Sequence, residues 1–258
     1  AVARARARGA QFHRIAVVVV QTDPHTTQGI RKMRVWMVLL AAVMVAGCIE
    51  SAPKNGPARI LAMGDSMFAV HGASGRSMSH QLEARLRQAV VDRSVLGARY
   101  LYPLPVSGSL GLRIGSQYVE RDWDWVILNG GGNDLWLACG CLLCDAKLDR
   151  LVSADGMKGA IVDVVNRARA GGARVLYVGY LRTPGVPSLI DHCARYGDAL
   201  EARLTRMAER DSGTSYLSLK DLVPEGDRSF HAPDLIHPSH KGSAAIAARI
   251  AKAMSENR

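Results

Sequence analysis

The stretch Arg59-Ile-Leu-Ala-Met-Gly-Asp-Ser66 is a short apolar run that ends in a glycine turn. An apolar run of this length with glycine at its end is typical of a buried strand. Residues 79–91 follow, with apolar side chains at Leu82, Leu86 and Val90 at the spacing of a helix. The stretch therefore begins the chain's folded part with a predicted strand, turn and helix.

The same alternation continues downstream and predicts the fold class. Further strands are predicted over residues 123–128, 174–178 and 214–219, and further helices over 157–170, 193–210 and 243–254. Strands that alternate with helices indicate βαβ units, so we expect an α/β fold, a three-layer α/β/α sandwich with a mostly parallel central sheet. Sites in such sheets lie beyond the carboxyl ends of the strands. This rule selects Gly64-Asp-Ser66 and residues 130–134.

Composition and charge narrow the function classes. The chain has 258 residues, 48% of them hydrophobic, which is enough for a sizeable core and argues against disorder. Its net charge of +10 is uneven: residues 1–47 carry +6 and the remaining 211 residues only +4. A weak charge over the main part of the chain predicts no nucleic-acid binding.

The segment before the folded part resembles an export signal. A basic cluster at residues 31–34 precedes an uncharged run over residues 35–47, which is too short to span a membrane. The run ends at Cys48, in a pattern similar to a bacterial lipobox, where the cysteine is lipidated and becomes the new N-terminus. We expect a periplasmic lipoprotein that contacts the membrane only through a lipid anchor on Cys48. The alternative is a buried apolar helix with an incidental cysteine.

These features divide the chain into four predicted parts. Residues 33–47 are predicted to be a lipoprotein signal peptide, residues 48–57 a turn-rich tether, and residues 58–258 the folded domain. Residues 1–32 are interpreted as an over-extended N-terminus, or alternatively as a basic arm that binds phosphate or anionic lipid.

Four further cysteines support export: Cys139, Cys141, Cys144 and Cys193. An even number in an exported chain indicates two disulfides, in any of three pairings. Zinc binding and thiol exchange are the open alternatives, although zinc sites usually draw ligands from two spaced pairs. We predict structural disulfides and no metal.

Three residues could together form a catalytic site with a serine nucleophile. Ser66 follows a strand, where its hydroxyl could act as a nucleophile, or could instead cap the next helix. His237 is its predicted base, and Asp234, three residues earlier, would orient the imidazole. His231 is an alternative base, but no acid precedes it at that spacing.

An oxyanion hole is predicted from three donors. The Asn133 side chain lies at a strand end, Gly97 offers a backbone N–H in a turn, and the Ser66 N–H is the third donor. Gly108 and Gly111 compete with Gly97 for this role.

Together these residues resemble the SGNH, or GDSL, hydrolase family, named after a serine, a glycine, an asparagine and a histidine in four blocks. Gly64-Asp-Ser66 resembles the first block, with Met67 where leucine is expected. Residues 94–98 look like the glycine block, Gly131-Gly-Asn-Asp134 like the third and Asp234-Leu-Ile-His237 like the fourth. The resemblance implies a flavodoxin-like sandwich.

The resemblance also implies a serine esterase that acts on a small ester through an acyl-enzyme and needs no cofactor. The alternatives are an acyltransferase or O-deacetylase that acts on envelope glycan, and a non-catalytic glycan-binding envelope protein. We expect the cysteine-rich segment 139–144 and Trp136 to shape the acyl pocket. The oligomeric state is left open.

Overall fold

The central sheet places the predicted site at one edge. The computed structural model describes residues 56–257. Its five strands are β1 Ile60–Met63, β2 Val90–Asp92, β3 Trp125–Leu128, β4 Arg174–Val178 and β5 Thr214–Leu217. They are all parallel and lie in the order β2-β1-β3-β4-β5, which confirms the predicted fold class.

The register of the three middle strands aligns their carboxyl ends. Met63 pairs with Leu128, which pairs with Tyr177. The turns after β1 and β3 are therefore neighbours, and a Cβ on Gly64 would lie 3.0 Å from the carbonyl oxygen of Asn129. The close approach of the two backbones explains why glycine follows β1.

Helices cover both faces of the sheet. Their bounds are α1 Ser66–Ala69, α2 Met78–Leu86, α3 Gly132–Cys139, α4 Asp145–Leu151, α5 Ala160–Ala170, α6 Ala194–Ala208 and α7 His240–Glu256. One face packs α1, α2 and α7 around a core that includes Phe68, Leu82 and Ile246. The other face packs α3 to α6 around a core that includes Leu148 and Leu200. Short helical turns occur at Gly72–Ser74, Pro105–Ser107, Gly108–Leu112, Ile114–Ser116, Asp191–Cys193 and Arg228–Phe230.

The structure corrects the helix predicted over residues 79–91. The helix ends at Leu86, because Arg87 takes a left-handed backbone conformation with φ of 53°, and Val90 begins β2. The apolar side chains at the end of the pattern are buried in the sheet, and helical spacing alone could not distinguish the two cases. Residues 132–139, for which no helix was predicted, form α3.

Both predicted disulfides are present, and the pairing is now defined. Cys139 is joined to Cys144, and Cys141 is joined to Cys193 across 52 positions. The sulfurs of Cys141 and Cys193 lie within 4.8 Å of a ring nitrogen of His192, a set that could hold a metal ion. Zinc is bound by thiolates, however, and both sulfurs are used in the disulfide.

The two disulfides are expected to contribute unequally to stability. In the chain-entropy model a cross-link stabilises more when it closes a longer loop. Replacing Cys141 and Cys193 together with serine should lower the free energy of unfolding by about 4 kcal/mol, and the same change at Cys139 and Cys144 by about 2 kcal/mol. Urea denaturation of the two double variants tests this order, and an equal or reversed loss would contradict it.

The predicted export features lie outside the described residues. They are the N-terminal segment 1–32, the signal peptide 33–47, Cys48, and most of the tether 48–57. Within residues 56–257, no helix has the length and hydropathy needed to cross a membrane.

Candidate active site

Asp65 builds the turn that contains Ser66, the predicted nucleophile. Its Oδ1 accepts a hydrogen bond of 3.0 Å from the Met67 N–H and caps α1, so Ser66 is the first helical residue and not the cap. Asp65 is 1% exposed. Burial raises the pKa of its carboxyl above the ordinary value, although the bonds from Tyr180 and Met67 oppose this. Asp65 is thus a structural anchor for the turn that presents Ser66.

Gln117 holds the same turn from behind. Its Oε1 accepts from the Gly64 N–H at 2.7 Å, and its Nε2 donates to the carbonyls of Gly64 and Gly111 at 2.8 Å each. The side chain is fully buried. A buried amide that satisfies three backbone groups fixes the position of the turn. No sequence signal marked Gln117, because Gly64 lies 53 positions away and Gly111 belongs to a glycine-rich turn with no regular pattern.

Tyr180 connects the turn at Ser66 to the turn after β3. Its hydroxyl donates to Asp65 Oδ2 at 2.5 Å and accepts from the Gly132 N–H at 3.0 Å. A Cβ on Gly132 would lie 2.8 Å from Cζ of this ring, so a side chain at position 132 would clash with the tyrosine. Burial raises the pKa of Tyr180 well above its ordinary value, so the hydroxyl keeps the proton it donates. No local sequence pattern marks Tyr180.

Removing the Tyr180 hydroxyl is expected to cost stability. Tyr180→Phe leaves the Gly132 N–H and one oxygen of Asp65 without these bonds, and unpaired buried polar groups cost about 1–3 kcal/mol. We expect the free energy of unfolding to fall by that amount in urea denaturation. Tyr118→Phe is the matched control, because its hydroxyl makes only a 3.5 Å bond to the Arg167 carbonyl. Equal losses in the two variants would contradict the prediction.

Asp234 orients the imidazole of His237. Its Oδ2 lies 2.6 Å from His237 Nδ1, and its Oδ1 accepts from the backbone N–H groups of Ile236 and His237, each at 3.0 Å. Partial burial raises the pKa of Asp234, but these hydrogen bonds outweigh it and hold the pKa below the ordinary value. An ionised partner at Nδ1 favours the tautomer with the Nδ1 proton, which leaves Nε2 as the proton acceptor.

Asn133 and its neighbour Asp134 attach α3 to the segment that contains Gly97. Asn133 Nδ2 donates to the Ala98 carbonyl at 3.2 Å. Asp134 accepts from the N–H groups of Tyr100 and Leu101 at 2.9 and 2.8 Å, and burial raises its pKa to about 6 despite these bonds. Because an amide nitrogen carries two hydrogens, the bond to Ala98 holds the Asn133 side chain and leaves a second N–H.

Gly97 has a backbone that only glycine adopts readily. Its φ is 73°, and a Cβ built there would meet no atom within 4 Å. The backbone conformation, and not a lack of space for a side chain, therefore explains why position 97 is glycine. Gly97 directly precedes Ala98, whose carbonyl accepts the hydrogen bond from Asn133. Gly97 itself does not line the cavity that contains Ser66.

One cavity of about 400 Å³ brings the predicted residues together. Ser66, Asn133 and His237 all line it, and so does Trp136, as expected from its position after β3. Asp234 lies behind His237. A serine, an oriented histidine and a side-chain amide on one cavity at the carboxyl edge of a parallel sheet are the groups that a nucleophilic hydrolase requires.

His231 does not fit the role of an alternative base. It is buried, it is absent from the cavity lining, and its Nδ1 has no hydrogen-bond partner within residues 56–257. Burial lowers its pKa. The acid of this loop, Asp234, bonds to His237 instead.

The sequence matches the GDSL-like lipase/acylhydrolase family over residues 62–245, and the chain therefore belongs to that family. This confirms the resemblance seen in the four sequence blocks. No curated protein matches the chain.

Several solved structures share the fold at low sequence identity. The esterase EstA from Pseudoalteromonas sp. is 16% identical, with a TM-score of 0.53, over 76% of this chain and 96% of that one. A carbohydrate esterase family 2 enzyme from Corynascus (Myceliophthora fergusii) is 16% identical, with a TM-score of 0.53, over 81% and 68%. A structure titled TesA is 21% identical, with a TM-score of 0.56, over 77% and 99%.

Proposed function

We propose that this protein is a serine esterase in which Ser66, His237 and Asp234 form the catalytic triad. The observation that carries the proposal is that Ser66 and His237 line one cavity while Asp234 holds His237 Nδ1 at 2.6 Å. The family contains lipases and acylhydrolases, and the neighbours titled as esterases have the same fold.

The proposed reaction has two steps. Ser66 Oγ attacks the ester carbonyl while His237 Nε2 takes its proton; the tetrahedral intermediate then collapses, and His237 gives the proton to the departing alcohol. Water attacks the acyl-enzyme with His237 again as the base, which releases the acid and restores Ser66. The backbone N–H of Ser66 and the second N–H of Asn133 would hold the oxyanion, because both residues line the cavity, whereas Gly97 does not.

The direct test is covalent. An alkyl p-nitrophenyl phosphonate should add its phosphorus to Ser66 Oγ and release p-nitrophenol, and peptide mass analysis should find the adduct on the peptide with Ser66. Turnover of p-nitrophenyl acetate should stop in parallel. A folded protein that shows neither the adduct nor turnover would refute the esterase. Acyl transfer to a glycan acceptor without hydrolysis would support the acyltransferase instead.

We also propose that the protein is exported and lipidated on Cys48. The two disulfides support an oxidising compartment. The full chain, expressed in a bacterium fed with radiolabelled palmitate, should become labelled and enter the membrane fraction, and Cys48→Ser should abolish both. Labelling that persists in Cys48→Ser would contradict the assignment.

A further inference from the structure

The cavity continues well beyond the proposed catalytic residues. Lining residues on α6 run from Ala194 to Leu204, which corresponds to a length of about 15 Å along the helix. Most of the wall beside α6 is apolar and includes Leu135 and Trp136 of α3 and Leu200 of α6. An ester carbonyl alone does not need a space of this length.

The two faces of the sheet indicate which part of an ester occupies this space. His237 lies just before α7, which packs on one face, whereas α3 and α6 pack on the other. The base that protonates the leaving oxygen must lie next to the alcohol. The alcohol therefore leaves on the His237 side, and the space between α3 and α6 remains for the acyl group.

The Cys141–Cys193 disulfide is part of the wall of this space. Both cysteines line the cavity, and their bond joins the segment after α3 to the start of α6. At another part of the wall, the guanidinium of Arg182 pairs with Glu201 at 2.9 Å. An alkyl chain gains nothing by displacing the partners of an ion pair, so this pair sets a limit to the apolar space.

From these contacts, and resting on the proposed function, we infer that the cavity between α3 and α6 binds the acyl group of a medium-chain carboxylic ester of about six to ten carbons. At about 30 Å³ for a group the size of water or methylene, 400 Å³ holds roughly a dozen such groups. The ester group and the start of the alcohol fill part of that volume. The groups that fit in the remaining volume set the number of carbons that we assign to the acyl chain.

The wild-type protein tests the inference without any substitution. In a p-nitrophenyl series from acetate to palmitate, kcat/KM should rise about threefold to fourfold per methylene up to eight or ten carbons and then fall. In a second series of acetate esters, lengthening the alcohol should give a much smaller rise. A flat acyl series, or a preference that follows the alcohol, would overturn the inference.

Gly197 offers a way to change the pocket. It lines the cavity on α6, and a side chain there would point at Arg182, whose Nη1 lies 3.2 Å from the Cβ position. In Gly197→Phe the ratio of kcat/KM for octanoate to that for acetate should fall at least tenfold. Ala202→Phe, on the exposed side of the same helix, is the matched control and should keep the ratio.

These results separate the inference from the proposed function. Hydrolysis of p-nitrophenyl acetate that depends on Ser66, combined with an unchanged octanoate ratio in Gly197→Phe, would refute only the acyl pocket. Loss of Ser66-dependent hydrolysis on every ester would refute the esterase itself.

Discussion

Replacing Ser66 with alanine is expected to lower kcat for p-nitrophenyl esters by about 10⁴- to 10⁶-fold. The hydroxyl is the only atom of this side chain that can form the acyl-enzyme, and no other serine lines the described cavity. The substitution adds no volume, so KM and the free energy of unfolding should change little. Steady-state kinetics and urea denaturation of the same preparations measure both.

Two control variants test whether the loss of activity is specific to Ser66. Ser74→Ala changes an exposed serine in the helical turn that follows α1, and should keep full activity. The double variant Ser66→Ala with His237→Ala should be no slower than Ser66→Ala alone, because residues that act as a unit are not additive. A Ser66→Ala enzyme that retains more than about 1% of kcat would show that another group is the nucleophile.

Replacing Asn133 with alanine is expected to lower kcat by about 10²- to 10³-fold with a much smaller change in KM. The free N–H of its amide is a proposed donor to the oxyanion, which carries its full charge only after the nucleophile attacks. A donor of this kind stabilises the transition state more than the bound substrate. The split between kcat and KM is therefore the informative measurement.

The Asn133 result needs a structural control. Asn133→Ala also removes the 3.2 Å bond to the Ala98 carbonyl, which could shift the Gly97 segment. Leu137→Ala, one turn later on the exposed side of α3, should leave kcat unchanged. Thermal unfolding of both variants checks the fold. An equal rise in KM and no change in kcat would mean that Asn133 binds the substrate and does not stabilise the oxyanion.

Local sequence patterns predicted the fold well because its strands and helices are encoded by short, contiguous runs of residues. The strands at residues 60–63, 125–128 and 174–178 are apolar runs next to glycine turns, and their alternation with helices indicated the parallel sheet. Sites in parallel sheets lie beyond the carboxyl ends of the strands, and this rule placed Ser66 and Asn133 at the edge of the sheet where both line the cavity. The pair of Asp234 and His237 was predicted because its two members are three positions apart.

The residues that sequence analysis missed depend on distant partners. Gln117 bonds to a turn 53 positions earlier, and Tyr180 bonds to Asp65 across 115 positions. Neither contact has a local pattern, because the bonded groups are far apart in the sequence. Strand β2 was missed for a related reason: Val90 lies in a helical spacing, and its pairing with Ile60 is set by the sheet.

The fit between Gly132 and Tyr180 has a consequence for related sequences. The tyrosine ring fills the space in which a side chain at position 132 would stand, and its hydroxyl takes the N–H of the same residue. The two positions are therefore coupled, and substitutions at them should occur in pairs. Family members with alanine or a larger residue at the position of Gly132 should have a smaller residue than tyrosine at the position of Tyr180. Such members would need another donor for the aspartate of the first block.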